Sequence, residues 1–81
     1  MAGKRFLTFE LDTNGDALEV HGNPEGFKYL MSILTRMIER GKTEHLHLMT
    51  AGWGGHELSE EKQNARATLI NHVKIMLWSL E

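Results

Sequence analysis

RFLTFELDTNGDALEVH, residues 5–21, decides the fold. Leu7, Phe9 and Leu11 alternate with Thr8 and Glu10, the pattern of a half-buried strand. Asp16 to His21 alternates again, with Leu18 and Val20 apolar. Between the two lies Thr13-Asn14-Gly15-Asp16. Asn-Gly tolerates the positive φ angles of a type I′ turn, so the stretch predicts a hairpin. A two-residue turn at Asn14-Gly15 sets Leu11 opposite Leu18 and Phe9 opposite Val20, and all four apolar side chains then share one face. The same register sets Glu10 opposite Glu19 on the other face. Like charges directly opposed are mildly destabilising. A basic group would relieve them, either Lys74 in the same sheet or a residue of a partner.

Downstream, Gly22-Asn23-Pro24-Glu25 reads as a helix start. Asn23 can cap, Pro24 suits the first helical position and Glu25 suits the positive end of the dipole. Phe27, Leu30, Met31, Leu34, Met37 and Ile38 follow helical spacing as one apolar stripe, and Gly41 ends the helix after Arg40. Glu44 to Thr50 predicts a third strand, with His45 and His47 on one side and Leu46 and Leu48 on the other. The glycines of Gly52-Trp53-Gly54-Gly55 predict a loop, and Ser59 is expected to cap a short helical turn over Leu58–Glu61. Leu69 to Trp78 predicts a fourth strand, in which Val73, Ile75 and Leu77 alternate with His72, Lys74, Met76 and Trp78; a helix is the competing reading. The order is β-β-α-β-β. The fold class is α+β, a two-layer arrangement with one helix packed on a small, mostly antiparallel sheet.

Eighty-one residues allow one domain, taken as residues 1–81. The terminal Leu80-Glu81, a dipeptide that often precedes a purification tag, reads as a vector scar. A chain of this size buries only about 60–65% of its unfolded surface. An apolar share of 41% with 25% charged residues fits a globular chain rather than a disordered one. A net charge of -2, with basic residues scattered, argues against nucleic acid. The absence of cysteine excludes disulfides, thiolate zinc sites and a cysteine nucleophile. It also fits a reducing cytoplasm better than secretion. No apolar run approaches a membrane span, and Met1 to Arg5 lacks the apolar region of a signal peptide.

Motifs of catalysis fail on spacing. Gly41-Lys42-Thr43 lacks the earlier glycine of a phosphate loop and follows a helix instead of preceding one. Asp12 to Asp16 would need glycine at Ala17 and glutamate at Asn23 to be a calcium loop. Ser32, Ser59 and Ser79 sit in no strained elbow, and a two-layer fold gives Glu10 and Glu19 little depth for acid–base work. The expectation is a protein that is not an enzyme and carries no cofactor.

A single helix covers one face of the sheet. The uncovered face would carry Thr8, Glu10, Glu19 and His21 from the hairpin, with His45, His47, His72, Lys74, Met76 and Trp78. His45 and His47, two apart on a strand, project together. Imidazoles from two strands can bind zinc, so a zinc domain built on His45, His47 and His72 stands as a lesser alternative. Trp53, followed by His56 in the glycine-rich loop, is either a plug for the core edge or an aromatic anchor at an interface. The expected partner-binding residues are Glu10, Glu19, His45, His47, Trp53, His56, His72 and Lys74.

The run from His45 through Trp53-Gly54-Gly55 to Glu61, with Phe9 to Asp12, Asn14 to Asp16 and Leu69 to Ile75, resembles the bacterial immunity proteins of family 32, associated with polymorphic toxin systems. The central piece is His47-Leu48-Met49-Thr50, then Trp53-Gly54-Gly55 and Glu57-Leu58. Lys62 departs from the pattern, which expects a proline there. The resemblance implies a small cytoplasmic protein that binds and neutralises a cognate toxin, and it carries no assignment of contact residues. The alternative is a homodimeric interaction module whose sheet faces pack together.

Overall fold

In the computed structural model, which describes residues 4–80, Asp12 rather than Asn14 organises the first turn. Met1 to Gly3 and Glu81 lie outside the described residues, and with them part of the leader and scar readings. The Asp12 carbonyl accepts from Gly15 N–H at 3.0 Å, and its carboxylate accepts from the N–H groups of Asp16 and Ala17 at 2.9 and 3.2 Å. Gly15 takes the left-handed conformation at φ 73°, and no other kind of residue does so among those described. The type I′ turn expected at Asn14-Gly15 is therefore replaced by a wider loop with a side-chain brace. The register survives, because Asp12 N–H still meets the Ala17 carbonyl at 3.0 Å. Strands β1 (Leu7–Leu11) and β2 (Leu18–Gly22) pair antiparallel with Phe9 opposite Val20, Glu10 opposite Glu19 and Leu11 opposite Leu18.

Helix α1 (Pro24–Arg40) begins and ends as its sequence dictates. The Asn23 carboxamide accepts from Gly26 N–H at 2.7 Å and from Phe6 N–H at 3.0 Å, and donates to the Lys4 carbonyl at 2.7 Å. One side chain thus caps the helix and ties it to the strand entering β1. Gly26 is obligatory there, since a Cβ would overlap the Phe6 carbonyl. Gly41, at φ 66°, returns its N–H to the Met37 carbonyl.

The buried side of α1 is rotated from the expected stripe. Met37 and Leu30 do pack inward, joined by Gly26, Ile33 and Tyr29. Phe27, Met31, Leu34 and Ile38 stay exposed, Met31 and Ile38 at 64% and 67%. The apolar stripe is broader than the contact a small sheet offers, so only one edge of it is buried.

Past α1 run β3 (Glu44–Met49), a single 3-10 turn (Ala51–Trp53), the short β4 (Thr68–Leu69) and β5 (His72–Leu77). The class is α+β with the expected order, and the strands divide into two ladders, β2-β1-β4 and β3-β5, both antiparallel. The segment expected as one fourth strand breaks at Ile70-Asn71 and serves both ladders. Ile70 N–H donates to the Phe9 carbonyl at 2.8 Å, and the Asn71 carbonyl accepts from Thr50 N–H at 3.1 Å. Ser59 caps no helical turn. Its N–H donates to the Leu7 carbonyl at 2.8 Å and its hydroxyl accepts from Leu7 N–H at 3.1 Å, so it acts as a strand partner.

The core is Leu7, Phe9, Ile33, Met37, Leu48 and Leu58, ringed by Leu46, Ile70, Val73, Ile75 and Leu77 among others. Leu18 and Val20, expected inside, are 58% and 42% exposed. They stand on β2, the outermost strand of its ladder, beyond the core cluster. Among the described residues no helix is long and apolar enough to cross a membrane.

Candidate partner-binding face

Alternation assigns Thr8, Glu10, Glu19 and His21 to the outer face of β1 and β2, and that face is not open. Thr8 and Glu10 are wholly buried, because the segment after Ser59 folds back across them. The Glu10 carboxylate accepts from the backbone N–H groups of Gln63 and Asn64, each at 2.9 Å, and from the Thr8 hydroxyl at 2.6 Å. His21 Nε2 stands 3.8 Å from Glu10 and 2.9 Å from Glu19, and the Asn64 amide donates to both Glu19 oxygens at 3.2 and 3.1 Å. Burial alone would raise the Glu10 pKa, but the hydrogen bonds from Gln63, Thr8 and Asn64 and the nearby His21 outweigh it and hold the carboxyl below its ordinary value. The opposed Glu10–Glu19 pair is thus relieved by a loop and a histidine of the same chain, and Lys74 has no part in it. Glu10 is a clamp for the loop, not a contact for a partner.

Glu10, Glu19 and His21 bring ligand atoms within 4.8 Å of one another. Both Glu10 oxygens and both Glu19 oxygens already accept hydrogen bonds. The group fits a structural lock. Among the described residues it is the one set of three with such spacing, so His45, His47 and His72 do not converge on a common point as the zinc alternative requires.

The outer face of β3 and β5 is open. His45 and His47 on β3 and His72, Lys74 and Met76 on β5 are exposed, while Leu46, Leu48, Val73, Ile75 and Leu77 turn toward the core. The register sets His45 opposite Met76 and His47 opposite Lys74. His47 Nδ1 lies 2.6 Å from His72 Nε2, so one ring donates and the other accepts. The His45 ring meets His47 edge-on at 5.1 Å between centroids. Desolvation, then the charges of His72, His45 and Lys74, lower the His47 pKa from the ordinary imidazole value.

Trp53 joins this face and does not plug the core. It is 58% exposed, with its ring 6.0 Å from that of His72. The turn that carries it is held by carboxylates. Glu57 accepts from the N–H groups of Met49 at 3.0 Å and His56 at 3.3 Å, and Glu60 accepts from Gly52 N–H at 2.7 Å. Burial pushes the Glu57 pKa up, and these backbone bonds together with His56 pull it below the ordinary value. His56 itself lies apart. It lines a shallow groove of about 500 Å³ with Lys4, Arg5 and Glu60, and its carbonyl accepts from the Arg5 guanidinium at 2.7 Å. That guanidinium stacks 3.7 Å above the Tyr29 ring.

Of the eight residues expected to bind a partner, the structure gathers His45, His47, Trp53, His72 and Lys74 on one surface. It sets His56 in the groove, Glu19 beside His21 and Asn64, and Glu10 inside. The residues that sequence reasoning missed are Glu57, Glu60 and Asn64, which fix the loops. Their signal is indirect: a glycine-rich turn leaves backbone N–H groups that need acceptors, and acidic residues follow it closely. No curated protein and no solved structure matches the chain. A family model described as Immunity protein 32 does match, over residues 17–73, from the start of β2 through α1 and the Trp53 turn into β5. That span is well over half of the sequence, and the chain belongs to the Immunity protein 32 family.

Proposed function

We propose that this immunity protein neutralises a cognate bacterial toxin by direct contact in the cytoplasm, without catalysis, and that it binds through the outer face of β3 and β5 together with Trp53. Membership of the family carries the reading. The choice of face rests on its composition. Trp53, Met76 and Trp78 supply exposed apolar anchors, and His45, His47, His72 and Lys74 supply polar contacts around them. Tryptophan and methionine are enriched in interface cores, and a buried tryptophan is a frequent energetic centre. The acidic loops beside this face, held by Glu57 and Glu60, preorganise the Trp53 turn and so limit the entropy lost on docking.

The test is a pull-down against the product of the neighbouring gene, followed by calorimetric titration of any toxin recovered at a one-to-one ratio. Trp53→Ala is expected to weaken binding by about 30-fold or more, equivalent to about 2 kcal/mol. Unchanged affinity in Trp53→Ala and in a Lys74→Glu variant, both folded by circular dichroism, would move the interface elsewhere.

A second reading, self-association, is favoured by the exposed flank of α1. Leu34 and Ile38 line an apolar cleft of about 180 Å³ with Ile75, Met76 and Leu77, and Phe27 and Met31 continue the flank. Contiguous apolar surface of this kind often marks an interface. Sedimentation at micromolar concentration decides, and a strict monomer removes this reading.

A further inference from the structure

We propose that His47 and His72 form a two-imidazole site for a late first-row divalent cation, of the class of Cu²⁺, Ni²⁺ or Zn²⁺. The site goes beyond toxin binding and does not depend on it, because its test needs no partner.

Geometry carries the assignment. His47 on β3 and His72 on β5 are diagonal neighbours, since the register places Lys74 opposite His47 and His72 opposite Met49. Their rings are tilted by 31° with centroids 4.9 Å apart, and Nδ1 of one points at Nε2 of the other over 2.6 Å. Two nitrogens aimed at each other share one proton. When a metal binds, that proton moves to the other nitrogen of the donor ring, and both facing lone pairs turn toward one centre. Zinc–imidazole bonds of about 2.0–2.1 Å in tetrahedral array separate the nitrogens by about 3.3 Å, so the pair has to open by about 0.7 Å. Both side chains are exposed and free to make that adjustment.

Water would occupy the remaining positions, and His45, edge-on to His47, is the nearest further imidazole. Imidazole ligands favour Cu²⁺, Ni²⁺ and Zn²⁺ over Mg²⁺ or Ca²⁺, with Cu²⁺ tightest. The Lys74 ammonium, directly across from His47, opposes the cation and sets the affinity lower than three ligands would give. The other cluster of ligand type, Glu10, Glu19 and His21, has its oxygens committed to Thr8, Gln63 and Asn64 and serves as the internal control.

The face carries its own reporter. Trp53 lies 6.0 Å from His72, close enough for bound Cu²⁺ to quench its fluorescence. The experiment is titration of the protein, freed of any polyhistidine tag, with CuCl₂ at neutral pH, followed by ZnCl₂ with ¹⁵N-detected imidazole spectra. The expected result is saturable quenching at one equivalent with micromolar affinity, reversed by EDTA. Zinc should shift the His47 and His72 ring nitrogens and leave those of His21 in place. His47→Ala and His72→Ala should each weaken uptake at least tenfold, His21→Gln should not, and Lys74→Ala should tighten it. Absence of saturable uptake below millimolar metal overturns the proposal. So does zinc shifting the His21 ring instead, a result readable in the unaltered protein.

Discussion

The two outer faces of this molecule begin from the same sequence pattern and end in opposite states. On β1 and β2, Thr8 and Glu10 alternate outward as His45 and His47 do on β3, yet Glu10 is wholly buried and the histidines are exposed. The difference lies in the loops that follow. The segment around Gln63 and Asn64 brings unpaired backbone N–H groups to the Glu10 carboxylate, which accepts both. Nothing equivalent crosses β3 and β5 among the described residues, whose neighbouring loop spends its own N–H groups on Glu57 and Glu60. Alternation along a strand fixes sidedness. What lies over a side is decided by where distant donors find acceptors.

The largest test of this contrast is Glu10→Ala. It strands the Gln63 and Asn64 N–H groups and the Thr8 hydroxyl under a loop that has lost its anchor. Bonds to a charged acceptor contribute about 1.5–3 kcal/mol each, and with partial relaxation the loss is expected at about 3–5 kcal/mol. A domain of this length holds only about 4–12 kcal/mol in all. Urea unfolding measures it, and a loss below about 1 kcal/mol would mean that the loop is held by something else.

Acid should sharpen the same contrast. The folded-state pKa of Glu10 lies below the ordinary value of 4.5 toward which the unfolded chain tends. Its contribution is therefore complete above pH 4.5 and is lost as pH falls through the lowered folded value. Glu57 has the same sign and adds to the same limb. Thermal melts from pH 6 downward should show stability falling at the acid end, with a shallower fall in Glu10→Gln. Parallel curves for the two proteins would contradict the assignment.

The smallest effect is expected on the open face. His47→Ala and His72→Ala remove exposed side chains and their one mutual bond, so each should change the unfolding free energy by about 0.5 kcal/mol or less. A loss several times larger, read by the same urea titration, would show that the histidine face is part of the scaffold.

Much of this was legible in the residues. The strand and helix order, the hairpin register, both ends of α1 and the inward row Leu46, Leu48, Val73, Ile75, Leu77 follow from local periodicity and capping, which act over a few residues. Asp12 was hidden because a side-chain brace competes with the Asn-Gly signal and reaches the same register. The rotation of α1 was hidden because its apolar stripe is wide enough to allow several docking angles, and Ile33 with Tyr29 joins the buried edge. The fate of Glu10 was the least accessible, since it depends on donors 53 and 54 positions away. On the candidate face, sequence placed the histidines, Lys74 and the strand sides. It left Trp53 open between plug and anchor, a choice set by tertiary packing.

The split strand at Ile70-Asn71 has a consequence for how the protein is born. The second edge of β1 is supplied by β4, and the partner of β3 is β5. On a ribosome, the hairpin and α1 can form early, but β1 gains β4 only after Leu69 is made and β3 gains β5 only after Leu77. Until then Leu48 and the apolar edge of α1 lack their covering strand, the kind of surface that chaperones recognise. The stretch Thr68 to Asn71 then links the two ladders, with Ile70 N–H donating to the Phe9 carbonyl and the Asn71 carbonyl accepting from Thr50 N–H. A ribosome paused before Thr68 thus holds a nascent chain in which neither ladder is complete.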